Sequence, residues 1–141
     1  MDTGDQKAGL IYVVRRATTD KEATRYRMHI NCNHVPHVQF VTLAHELGHL
    51  FLGHLGMDRK LGIPERSGLT HAQQELEAES VAYLVCKRNG VTSKSETYLA
   101  NYVEKNITVD HIDFYRVMRA AGQVEDILGI NAQSKYGKAS A

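Results

Sequence analysis

The chain has 141 residues, enough for one ordinary domain and too few for two well-formed cores. Its hydrophobic share of 43% and charged share of 23% are those of a globular protein rather than a disordered or fibrous one. The formal net charge of +1 makes no case for a nucleic-acid surface, because such surfaces show a clear basic excess or stripe.

Residues 1–8 are polar and are expected to fray. They contain no positively charged segment followed by an apolar core, so a signal peptide is not expected. "LIYVVRRA" (10–17) is rich in β-branched and aromatic residues and predicts a strand. "ATTDKEATR" (17–25) is a polar turn. In "YRMHIN" (26–31), Tyr26, Met28 and Ile30 alternate with Arg27 and His29, the period of a half-buried strand. The two strands are expected to pair as an antiparallel hairpin, with His29 facing solvent. Pro36 suits the first turn of a helix.

From about 37 to 54 the apolar residues Phe40, Val41, Leu43, Ala44, Leu47, Leu50 and Phe51 recur at helical spacing, and Gly53 ends the run. Residues 55–69 hold Gly56, Gly62, Gly68 and Pro64 and predict a mobile loop. The best-marked helix covers 70–90. Thr70 with Gln73 forms a capping box, Lys87 and Arg88 sit where the helix dipole favours cations, and Gly90 terminates it. Ser93 with Glu96 predicts a further helix burying Tyr98, Leu99, Tyr102 and Val103. Thr108 can cap a last helix with Ile112, Val117, Met118 and Ala121 among its apolar residues. Residues 131–141 are small and polar, so a single domain is expected over 1–130, followed by a disordered tail. The fold class expected is α+β: a small antiparallel N-terminal sheet packed on a helical bundle.

The two cysteines, Cys32 and Cys86, form no CxxC pattern, so a disulfide framework is not expected and a reducing, cytoplasmic setting is the simpler reading. Cys86, in "AYLVC", is expected to pack in the core. No apolar run approaches the roughly 20 residues that span a bilayer, so no membrane partner is expected.

The chemistry lies in "VTLAHELGHLFLGH" (41–54). Residues four apart on a helix share a face, so His45 and His49 can each turn a nitrogen onto one ion. Glu46 lies about 100° round from His45 and can reach a water on that ion without binding it. This is the mechanical content of an HExxH motif. A catalytic zinc site needs a third protein ligand. The extended pattern H-E-x-x-H-x-x-G-x-x-H requires Gly at 52 and His at 55, but the chain has Leu52 and Leu55. On a continuing helix His54 is displaced by about 100°, which makes it a poor ligand. The next helix offers Glu75, Glu77 and Glu79. Glu75 and Glu79 share a face, so Glu75 can bind the metal while Glu79 accepts the outer N–H of a ligating histidine. Glu77 is then expected to face solvent. His34, His37, Tyr83 and His111 are candidates to stabilise an oxyanion, without a choice between them.

"FVTLAHELGHLFLGH" followed by "ELEAESVAYLVC" resembles the ImmA/IrrE family of zinc metallopeptidases, over residues about 26–90. That family pairs an HExxH helix with a downstream E-x-x-A-(N/D)-x-(F)-A helix, and here the second part runs from Glu75 to Ala82. The chain departs from the pattern with Glu79 where Asn or Asp is usual and Val81 where Phe is usual. The resemblance implies a zincin-like active-site helix with a gluzincin-like ligand set: zinc on His45, His49 and Glu75, with Glu46 as general base. It further implies a protein substrate, a repressor-like regulator of transcription. The alternative from another class is a non-catalytic, zinc-stabilised module that binds a regulatory partner.

Overall fold

A computed structural model of the chain describes residues 8–94 and 113–130. Strands β1 (Gly9–Arg15) and β2 (Arg25–Ile30) pair antiparallel, with Ile11 opposite Met28 and a bulge between Val13 and Arg15. Three helices come next: α1 (Pro36–Phe51), α2 (His71–Arg88) and α3 (Phe114–Leu128). The architecture is α+β, a two-stranded sheet against a helical bundle, as the sequence predicts. In β2 the alternation is as expected, with Tyr26, Met28 and Ile30 half-buried and Arg25, Arg27 and His29 exposed. His29 stacks on Tyr12 across the hairpin.

The core lies where α1, α2 and α3 meet. Ala44, Leu47, Leu50, Phe51 and Leu52 from the α1 region pack with Val81, Ala82 and Val85 of α2 and with Val117, Ala120, Ala121 and Val124 of α3. Cys86 is buried and Cys32 exposed, and both are free thiols. Burial and the charge of Glu79 push the Cys86 thiol up to about 11, which keeps it an inert packing group. Helix α3 starts differently from expectation. Its N-cap is Asp113, whose carboxylate accepts from the Arg116 amide, and of its expected apolar residues Val117 and Ala121 are buried while Met118 is 60% exposed. The stripe Val117–Ala120–Ala121–Val124 packs inward, and Met118 lies about 100° round from Val117, outside it. The expected helix after Ser93, the Thr108 cap and the 131–141 tail lie outside the described residues.

Two glycines set the geometry around the end of α1. At Gly48 a Cβ would sit 3.2 Å from both Cβ and Cγ1 of Val81, so α1 and α2 approach more closely than a side chain there allows. Gly53 closes α1 at φ +83, and a Cβ there would meet the Pro64 carbonyl at 2.8 Å. The Gly53 amide bonds to Leu50 O and the His54 amide to His49 O, the paired bonds of a Schellman motif. The loop beyond is tied down at several points. Asp58 and Ile63 bridge each other, Tyr26 donates to Asp58, and Arg119 and Gln123 of α3 donate to Gly62 O and Leu61 O.

Glycine-to-alanine changes at Gly53 and at Gly122 should have opposite outcomes. Gly53→Ala should destabilise the protein by about 1–3 kcal/mol, because the positive φ is strained for any residue with a Cβ. Gly122→Ala lies inside α3 with no atom near its would-be Cβ, so it should stabilise by about 0.5–1 kcal/mol. Urea denaturation of the metal-free protein measures both.

Candidate active site

Helix α1 buries Ala44, Leu47, Gly48, Leu50 and Phe51, which leaves His45, Glu46 and His49 half-buried along the flank that meets α2. Across from them α2 presents Glu75 and Glu79, one turn apart. The Thr70–Gln73 capping box forms as expected, with the Gln73 amide donating to the Thr70 hydroxyl and the Thr70 amide to the Gln73 side chain. It fixes the start of α2, and with it the height at which Glu75 enters the site.

The structure brings His45, His49 and Glu75 together. The two Nε2 atoms are 3.1 Å apart, Glu75 Oε2 is 2.9 Å from His49 Nε2, and Glu75 Oε1 is 3.4 Å from His45 Nε2. One donor atom from each residue lies within 4.8 Å of the others, a grouping that could hold a metal ion. Four-coordinate zinc with bonds of about 2.0–2.1 Å separates its nitrogen and oxygen ligands by about 3.3–3.4 Å. The three observed spacings are close to that, and the two-nitrogen, one-oxygen donor set suits zinc, so the residues fit the ion. Two imidazole nitrogens facing each other with a carboxylate beside them is otherwise an arrangement with little to recommend it.

Each histidine turns its other nitrogen outward. His45 Nδ1 lies 2.8 Å from Glu79 Oε1, although the two are not aligned as a hydrogen bond and Glu79 Oε2 finds no partner among the described residues. His49 Nδ1 lies 2.8 Å from Nδ1 of His54. His54 Nε2 in turn lies 2.8 Å from Glu77 Oε1, and Arg66 grips both Glu77 oxygens at 2.6 and 2.7 Å. Glu77 is therefore not the solvent-facing residue the sequence suggests: it is 1% exposed. Arg66, from the 55–69 loop, folds over α2 and supplies the countercharge that makes this burial tolerable. His54 is indeed absent from the donor cluster, but it is in contact with it. The signal available in the sequence was Gly53. A Schellman close places the residue after the glycine against the third residue from the helix end, and those positions are His54 and His49.

Burial works against the charge on His45, yet the nearby Glu75 and Glu79 carboxylates outweigh that and push the metal-free imidazole up to about 10. Hydrogen bonds from His45 and His49 hold the Glu75 carboxyl far below the usual carboxylate range, against the opposing effect of burial. His54 is pulled down, chiefly by burial, against the raising effect of Glu77. For Glu77 burial pushes upward, but the bonds from His54 and Arg66 prevail and keep it ionised.

Glu46 faces a cleft of about 420 Å³ together with His45, His49 and Glu75, walled by Gly9, Leu10 and Ile11 of β1 and by His71 and Gln74 of α2. His71 precedes Glu75 by four residues and so shares its face, a relation the sequence reading overlooked. A second cavity of about 590 Å³ shares His45, Glu46 and Glu75 with the first and is also lined by His34, His37, Val38, Val41 and Thr42. Of the oxyanion candidates, His34 and His37 thus border the site. Tyr83 lines a separate hollow at the far end of α2, and His111 is outside the described residues.

Paired imidazoles on one helix and a carboxylate on the next, beside a small sheet, are a donor set that suits a metallopeptidase. The chain matches the MPTase-PolyVal family of zincin-like metallopeptidases over residues 16–123, most of its length, and it belongs to that family. The matched segment includes all of α1, the loop, α2 and most of α3. No curated protein and no solved structure matches the chain. Among the described residues no helix is long and apolar enough to cross a membrane.

The shifted groups fix how stability depends on pH. The His45 contribution is complete below pH 6.5 and is lost as pH rises through about 10; that of Glu75 is complete above pH 4.5 and is lost on acidification. With metal chelated, the urea midpoint should be highest between pH 4.5 and 6.5 and should fall on either side. Zinc has to displace the His45 proton, so its stabilising effect should grow as pH rises from 6 to 8. A midpoint that is flat in pH without metal contradicts the ion-paired description.

Proposed function

We propose that this chain is a zinc-dependent metalloendopeptidase in which His45, His49 and Glu75 hold the metal and Glu46 is the general base. The observation that carries the reading is the convergence of two Nε2 atoms and a carboxylate at 2.9–3.4 Å, with Glu46 facing the same cleft. Zinc, when bound, supplies Lewis acidity to a carbonyl and brings the pKa of water down to about 7. The chain's own groups do the rest. A Glu46 carboxylate oxygen takes the proton from the attacking water and passes it to the amide nitrogen as the peptide bond breaks. His71 and Gln74 line the same cleft and would be the donors to the carbonyl oxygen as it gains charge. Glu79 orients His45 from behind.

Two cavities that meet at His45, Glu46 and Glu75 leave room for substrate residues beyond the bond to be cut, which favours an endopeptidase. Among the described residues β1 pairs only with β2, and Gly9–Ile11 border the cleft, so an extended peptide can lie along this wall and bond to its backbone. The resemblance to the ImmA/IrrE family supports a narrower reading: the substrate is a repressor-like regulatory protein, met in the cytoplasm and without direct contact to nucleic acid.

Glu46→Gln should keep one zinc per chain and lower peptide cleavage by about 10²–10⁴-fold. His49→Ala should lose the zinc as well. Zinc content by mass spectrometry and hydrolysis of a quenched-fluorescence peptide library, or of a candidate repressor, measure the two effects. Undiminished cleavage by Glu46→Gln removes Glu46 as the base, and a wild type that binds zinc and cleaves nothing while Glu46→Gln keeps the biological effect contradicts the peptidase and favours the non-catalytic module.

A further inference from the structure

We propose that His54, Glu77 and Arg66 form a buried relay that fixes the proton of His49 on Nδ1 and so holds its Nε2 ready for the metal. The inference rests on the reading of His49 as a ligand, and it assigns positioning roles to three residues that the HExxH pattern does not contain.

Counting protons along the chain of contacts fixes each orientation. Nε2 of His49 faces His45 and Glu75, and it can bind a cation only through a lone pair, so the single ring proton of His49 belongs on Nδ1. That nitrogen faces Nδ1 of His54 at 2.8 Å, a gap that holds one proton. With His49 donating, His54 accepts on Nδ1 and carries its own proton on Nε2. There it meets Glu77 Oε1 at 2.8 Å, and an ionised carboxylate can only accept. Arg66 donates to both Glu77 oxygens and to the Leu52 carbonyl, which keeps the carboxylate charged and turned toward His54. Each link has one orientation compatible with the next, so a charge two side chains away dictates which nitrogen of His49 is bare.

The links are shielded from bulk solvent, although His54 borders the cleft. The side chains of His54 and Glu77 are 3% and 1% exposed and that of Arg66 is 10% exposed. The backbone enforces the contact as well, because the Schellman close of α1 bonds the His54 amide to the His49 carbonyl at 3.0 Å. A purely structural role for Glu77–Arg66, clamping the loop onto α2, is also served by these bonds, so the test has to read the metal and the proton.

Zinc dissociation constants measured by chelator competition on wild type, His54→Leu and His54→Gln make that test, with metal-free thermal unfolding measured alongside. His54→Leu should weaken zinc binding by about 10–100-fold. His54→Gln should recover most of the loss, because its side-chain carbonyl can accept from His49 Nδ1. Nitrogen-15 NMR of the zinc-loaded wild type should place the His54 proton on Nε2 and the His49 proton on Nδ1, a signature that no loop-clamping role requires and that stands even if His54→Leu does not fold. Zinc affinity in His54→Leu equal to wild type, or a His54 proton on Nδ1, overturns the relay while leaving the metal site intact. A wild type that binds no zinc overturns the site itself.

Discussion

The close approach of α1 and α2 at Gly48 is the constraint on which the rest of the site depends. With hydrogen in place of a side chain at Gly48, the backbone of one helix rests on Val81 and Ala78 of the other. His45 and His49 lie to either side of that contact on α1, and Glu75 and Glu79 lie on the same stretch of α2. Their spacing is set by the helix crossing rather than by the side chains' own attraction. The crossing is held by apolar burial: Leu47, Leu50, Leu52, Val81 and Val85 are all in the core, and full burial of such side chains stabilises by about 1.5–3 kcal/mol each. A buried polar group without a partner costs about 1–3 kcal/mol. The core can therefore carry a polar seam, provided that the imidazoles in it are partnered.

The two imidazoles are partnered unequally. His45 has a carboxylate directly behind it on the facing helix, Glu79, whose approach is near but not aligned. His49 lies one turn further along α1, where the carboxylate in the core is Glu77. His54 spans the gap, and it can do so because α1 stops. Gly53 in the left-handed region turns the chain back, so the imidazole of His54 returns to the helix it has just left. The loop then delivers Arg66 to Glu77, which makes the path of a 55–69 segment with three glycines part of the site's electrostatics.

Much of this was legible in the sequence. The hairpin could be read from alternation in β2, α1 from its apolar spacing and α2 from its capping box. The meeting of His45, His49 and Glu75 could be read from two helical periodicities that each put the right atoms on one face. What was not legible depended on contacts far apart along the chain. Glu77 looked like a solvent residue because, two positions from Glu75 and Glu79, it points elsewhere; nothing local says that Arg66 waits there. His54 is a poor neighbour of His49 only on a helix that continues, and α1 ends at Phe51. In α3 the sequence marks Val117 and Ala121 as apolar, and both are buried, but apolarity alone did not show that Met118, one residue round from Val117, faces out.

X-ray absorption at the zinc edge of the purified, zinc-loaded protein tests the central claim most directly. The expected result is a first shell of nitrogen and oxygen only, at about 2.0–2.1 Å, with the multiple-scattering pattern of two imidazoles. A sulfur scatterer at about 2.3 Å, or a single imidazole in the first shell, would contradict it.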